Sequence, residues 1–211
     1  MTVIIYGVSG STCVRRVAVV CKELNIPYEL KIIGFDVLKS DDFMNSKQPF
    51  GQMPVVEDDG FTIFESRAIA RYLVLKYGKD SGLLPSESDI KALTKFEIAA
   101  SIEAADFDPF ASGIVFEKIF KGYRGLTEDP ERVKEYAEKL DVKLQGYERM
   151  LSKSKYLAGD TITLADLFHL PYGYMLETAT KSDLLQKYPN VARWWNDVVS
   201  RPSWQAVKDG A

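Results

Sequence analysis

A proline leading straight into a β-strand is the tightest local constraint on this chain. Pro54 stands in QPFGQMPVVEDDGFTIFESRAIARY, residues 48–72. Having no N–H, it cannot donate to a sheet ladder and must sit at an edge or a turn. The residue before it, Met53, is driven into an extended conformation and presents its own N–H and C=O outward. VVED reads as a strand, Asp59-Gly60 as a tight reversal, FTIF as a second strand, and Glu65-Ser66 as the opening of a helix. That helix start offers unpaired N–H groups and the Ser66 hydroxyl to a carboxylate, with the Glu65 charge beside it for an ammonium. An exposed backbone edge next to a trap for a zwitterion suits the end of an amino acid or peptide.

The strands and helices around this segment follow from its neighbours. TVIIYG (2–7) is a buried strand by composition. Residues 11–25 follow with Val14, Val17, Ala18 and Cys21 at helical spacing. YELKIIGF (28–35) reads as the next strand and 39–47 as a short polar helix, giving the order β-α-β-α-β-β-α. Residues 78–88, GKDSGLLPSES, break the periodicity and read as a linker. Beyond it, 88–121, 129–153 and 163–179 carry helical apolar patterns, with Pro130 and Pro189 where helices start or stop. Thr163-Leu-Ala-Asp166 is a capping box, with Ile162 and Leu167 placed as a hydrophobic staple.

Composition excludes several classes. The 211 residues carry a net charge of −3, with no basic stripe interleaved with aromatics, which argues against nucleic acid. Two cysteines, Cys13 and Cys21, are too few for a disulfide framework and suit a reducing compartment. No leader, spanning segment or lipidation signal is evident, so the expected location is cytoplasmic and no membrane partner is expected. The single histidine, His169, sits on an apolar helix and reads as structural, and no metal cluster is expected.

The Gly-Gln-X-Pro element and ESRAIARYL resemble the glutathione-binding half of a glutathione transferase. STCVRRV (11–17), FDPFASGIVFEKIFKG (107–122) and LAGDTITLADLFHLPY (157–172) resemble the serine-type phi class of plants and fungi. The resemblance implies a thioredoxin-like domain over 1–80 and an all-helical domain over 88–211, assembled as a homodimer. It implies conjugation of glutathione, a co-substrate with no permanent cofactor, to small hydrophobic electrophiles. Detoxification is the implied setting and peroxide reduction a secondary activity. A non-catalytic carrier of hydrophobic ligands is the rival reading.

In that family the nucleophile is the glutathione sulfur, whose free thiol has a pKa of about 8.5. One hydroxyl hydrogen bond to the anion contributes roughly 1.5–3 kcal/mol, or about one to two pKa units. Ser11, at the start of the first helix, matches the catalytic serine; locally it also reads as an ordinary N-cap. Ser9, Thr12 and Tyr6 are rival hydroxyls. Cys13 reads as a small core residue. Ser11, Thr12, Lys39, Gln52, Met53, Pro54, Glu65 and Ser66 form the expected glutathione site, with the Met53–Pro54 bond cis. The family often has His-Lys-Ser where this chain has Leu38-Lys39-Ser40, leaving Lys39 as the cation for the glycine carboxylate. Val8, Gly10, Phe116, Ile119 and Phe120 are the candidates for an electrophile pocket. Phe107 and Phe110 are alternatives for a dimer or domain boundary.

Overall fold

A computed structural model describes residues 2–211. The chain forms two compact units, one of residues up to Leu84 together with Pro202–Ala211, the other of Pro85–Arg201. The first is built from β1 (Val3–Gly7), α1 (Thr12–Glu23), β2 (Tyr28–Ile32), α2 (Phe35–Leu38), α3 (Asp41–Ser46), β3 (Val55–Asp58), β4 (Phe61–Phe64) and α4 (Ser66–Tyr77). Its sheet has the order β2-β1-β3-β4, with β1 and β2 parallel and the other pairs antiparallel. This is the thioredoxin-like arrangement the sequence implied.

Local chemistry accounts for most of these boundaries. Asp59 and Gly60 both take positive φ, 53° and 79°, which is the twist a two-residue hairpin needs to pair Asp58 with Phe61. The apolar face of α1 is wholly buried through Val14, Val17, Ala18 and Cys21. Two expectations shift. The strand from Tyr28 stops at Ile32, and the helix expected over 39–47 is α3, preceded by a second short helix, α2, that the sequence reading did not include. Ser40 divides them, because its hydroxyl accepts from Phe43 N (3.2 Å) and donates to Val37 O (2.8 Å), capping α3 and closing α2.

Asp58 fastens the hairpin to α4. Its carboxylate accepts from the Tyr72 hydroxyl (2.9 Å), the Lys76 ammonium (2.8 Å) and the Tyr77 hydroxyl (2.7 Å). Burial alone would raise this carboxyl, but the Lys76 and tyrosine hydrogen bonds outweigh it and hold Asp58 below the ordinary aspartate range.

The second unit contains α5 (Ile90–Ile102), α6 (Asp108–Val115), α7 (Lys121–Tyr123), α8 (Pro130–Leu151), α9 (Leu164–Phe168), α10 (Leu170–Thr178) and α11 (Pro189–Val199). The periodicity over 88–121 suggests one helix; two π-helical turns, Glu103–Phe107 and Phe116–Phe120, interrupt it. The first precedes Pro109, which has no N–H for the carbonyl one turn back, so the ladder must widen there. Asp166 completes the expected capping box, accepting from Thr163 N (2.9 Å), and also takes Leu157 N (3.1 Å) and Trp194 Nε1 (2.9 Å). His169 is fully buried, as a structural residue should be. Its Nδ1 donates to Ala165 O at 2.8 Å, so in the neutral ring Nε2 accepts the Tyr147 hydroxyl at 3.0 Å. Phe107 is core as well, its ring 4.6 Å from His169.

The expected helical domain ran to the last residue, but α12 (Pro202–Gln205) and the tail pack with the first unit. Arg15 Nη1 donates to Lys208 O at 2.5 Å, and Ala211 N donates to Ser9 O at 3.2 Å. These partners are some 200 residues apart in sequence, beyond the reach of local pattern.

Because the folded pKa of Asp58 is depressed, its stabilisation is complete above the unfolded aspartate value of about 3.9. It is lost as pH falls through the folded value. Asp58→Asn should lower stability at neutral pH by about 1–3 kcal/mol and flatten the acid limb of melting temperature against pH. Superimposable acid limbs for the two proteins would contradict the clamp.

Candidate functional site

The head of α1 carries the first element of the site. Ser11, in extended conformation at φ −67° and ψ 129°, caps the helix by accepting from Val14 N at 3.4 Å. A serine hydroxyl has two acceptor lone pairs and one proton, so this cap leaves the proton available. Capping and catalysis, opposed readings in the sequence, are compatible here. Thr12, the first residue of the helix, is largely buried.

Two of the three rival hydroxyls, those of Tyr6 and Ser9, are engaged elsewhere. Tyr6 donates to Glu57 Oε2 at 2.7 Å, and that bond, with burial, pushes its phenol up to about 12. Glu57 is held low, first by Lys47 and then by Tyr6. Ser9 Oγ donates to Ala211 O at 3.3 Å.

The second element is the turn before β3. Gln48 is buried, and its Oε1 accepts from Phe50 N (2.7 Å) and Gln52 N (3.1 Å). Gly51 takes φ +58°, where a Cβ would meet Leu38 O at 2.6 Å and Lys39 Cδ at 3.0 Å, so only glycine fits. This close approach seats Lys39 against the turn, its ammonium donating to Phe50 O at 3.1 Å. Gln52 is exposed and the Met53–Pro54 bond is cis. Among the described residues, neither Met53 N nor Met53 O has a backbone partner. Val14 of α1 and Met53 both lie close to Gly7, where a Cβ would be 2.5 Å from Val14 Cγ2 and 3.6 Å from Met53 Cβ.

The third element is the head of α4. Glu65 is exposed, holds φ +68°, and makes no side-chain cap bond. A non-glycine residue there is strained backbone, which clusters at ligand sites. Ser66 is buried and accepts from Arg16 Nη1 at 3.1 Å.

One unit thus presents a hydroxyl proton at a helix head, an unpaired extended backbone, and a second helix head flanked by a carboxylate. The C-terminal domain model of glutathione S-transferases matches residues 85–202 and the N-terminal domain model matches 5–81. The chain belongs to the glutathione S-transferase family. Within it, the phi-class resemblance holds. The chain is 49% identical over 200 residues to glutathione S-transferase PM239X14 of Arabidopsis thaliana, covering 92% of this chain and 90% of the relative. Glutathione transferase F7 of Populus trichocarpa superimposes with a TM-score of 0.91 at 35% identity, over 98% of this chain and 97% of that one. Glutathione S-transferase I from mais, solved in complex with an atrazine glutathione conjugate, gives 0.91 at 32% identity, over 99% and 97%.

Against this family background the reading of Cys13 is corrected, and the departure at Leu38 is explained. Leu38, at the family's histidine position, is fully buried against Phe43 and Val55 and contributes core rather than a ligand contact. Cys13 is partly exposed, its sulfur 3.6 Å from Arg16 Nη1, because α1 turns it away from the sheet. Arg16 and Gln48 were missed in the sequence. Their polar groups are buried, and the only signal was a charge and an amide at otherwise apolar positions.

The electrophile candidates divide between the units. In the first, Val8 is half-buried and Gly10 exposed, with open space where its Cβ would point. In the second, Phe116 and Phe120 line a cavity of about 340 Å³ with Pro109, Tyr136 and Tyr172; Ile119 does not line it. Gly113 admits the Tyr136 ring, whose Cε2 would lie 2.7 Å from a Cβ there. Among the described residues no group of three or more His, Cys, Asp or Glu side chains could hold a metal, and no helix is long and apolar enough to cross a membrane.

Proposed function

We propose that this transferase binds glutathione along Gln52–Pro54 and transfers its sulfur to small hydrophobic electrophiles, with Ser11 stabilising the thiolate. The cysteinyl backbone of the tripeptide pairs with Met53 N–H and C=O. The γ-glutamyl end places its carboxylate on Ser66 and the first turn of α4, and its ammonium on Glu65. Lys39 and Gln52 take the remaining polar groups, Lys39 facing the glycine carboxylate. The sulfur then lies at the head of α1, where the Ser11 hydroxyl, the Thr12 N–H and the helix field favour the anion. The thiol proton passes to solvent, the sulfur–carbon bond forms, and the electrophile's leaving group, where it has one, departs. No permanent cofactor is needed for this chemistry. The observation that carries the reading is that Ser11 retains its proton while Tyr6 and Ser9 have spent theirs.

Exposed apolar side chains, Phe50, Phe61 and Leu75 in the first unit and Ile98 and Val142 in the second, support a symmetric homodimer. A solution mass that stays at the 23.8 kDa of one chain at all concentrations would refute it. Two cysteines outside any disulfide support a reducing, cytoplasmic setting.

Ser11→Ala should lower conjugating turnover roughly 10–100-fold at neutral pH, matching the loss of one to two pKa units, and change glutathione affinity much less. Turnover should recover as pH rises past about 8.5, where the free thiol ionises unaided. Tyr6→Phe should keep turnover within about two-fold, since the hydrogen bond it loses is to Glu57 and is worth only about 1 kcal/mol of stability. Full activity of Ser11→Ala across pH would reduce Ser11 to a cap.

A further inference from the structure

A buried cation stands behind the head of α4. Arg16 is 1% exposed, projects from α1 one turn inward of Ser11, and places Nη1 3.1 Å from Ser66 Oγ. Ser66 is itself the first residue of α4 and 5% exposed. The helix carries no acidic residue in its first turn, and Glu65 makes no side-chain cap bond. The first-turn N–H groups of a 12-residue helix are therefore not answered by a capping side chain.

We propose that Arg16 is a positioning residue for the γ-glutamyl carboxylate of glutathione, acting through Ser66. This rests on the glutathione reading above. By filling an acceptor position of the Ser66 oxygen, the guanidinium turns the single hydroxyl proton outward, toward the helix head. A hydroxyl that accepts from a cation is polarised into a stronger donor. The buried charge also adds to the field of α4, and little solvent screens it. Arg16 does not touch the ligand. Its effect is to fix one donor and raise the local potential, so it should act on the carboxylate and leave the sulfur alone.

A purely structural tie between α1 and α4 would weaken every ligand alike, and that difference makes the proposal testable. Calorimetry on wild type, Arg16→Met and Arg16→Lys would use two ligands: glutathione, and γ-aminobutyryl-cysteinylglycine, which lacks only the γ-glutamyl carboxylate. Arg16→Met should weaken glutathione roughly 10-fold, the size of one charge-assisted hydrogen bond, and leave the analogue within about two-fold. Arg16→Lys should recover part of the loss. In turnover, KM for glutathione should rise while kcat and its pH profile stay close to wild type, because Ser11 is unchanged. Should Arg16→Met fail to fold, Arg16→Lys carries the same comparison, with a smaller loss confined to glutathione. Equal weakening of both ligands, or unchanged selectivity, overturns the role of Arg16. A wild type that does not bind glutathione overturns the reading of the site itself.

Discussion

The docking of α1 is the constraint on which the site depends. Val14, Val17, Ala18, Val19, Val20 and Cys21 are all completely buried, and a fully buried aliphatic side chain of this size contributes roughly 1.5–3 kcal/mol. A helix held this firmly cannot shift its head without giving up core packing. Gly7 lets the helix approach β1, with Val14 where a Cβ would otherwise stand. Ser11 at the head and Arg16 one turn inward therefore take fixed positions, Ser11 capping the helix and Arg16 on Ser66. Hydroxyl proton, open backbone and second helix head are registered by one rigid element.

That rigidity matters because the chemistry asked of the protein is modest in energy and strict in geometry. Moving a thiol from about 8.5 to near neutrality takes one or two pKa units, the yield of one well-placed hydroxyl. A donor misplaced by an ångström would lose most of it. The surrounding polar groups are disposed accordingly: Tyr6 is committed to Glu57, Ser9 to Ala211 O, and Gln48 to the turn that carries Gln52.

What the sequence revealed divides along physical lines. The hairpin at Asp59-Gly60 and the capping box of Asp166 were legible because each is dictated by residues a few positions apart; the cis bond before Pro54 came only with the family resemblance, since local chemistry favours trans. The short helix α2 was concealed because it follows directly on an apolar stretch that reads as a continuing strand, and Ser40 closes it one residue before α3 begins. The π turn before Pro109 was concealed by an apolar period that runs through it. Arg16, Gln48 and the membership of the tail in the first unit depend on partners brought together only by folding, Ser66 and Lys208 among them. Buried polar groups with distant partners leave no periodic trace. Leu38 is the reverse case, a polar position by family pattern that this chain has given to its core.

The most direct test of the central claim is a titration of the thiolate absorbance of glutathione bound to wild type and to Ser11→Ala. With the hydroxyl present, the bound thiol should ionise about one to two units below its free value of about 8.5. In Ser11→Ala it should return most of the way to that value while glutathione remains bound. Equal thiol pKa values in the two complexes would contradict thiolate stabilisation by Ser11.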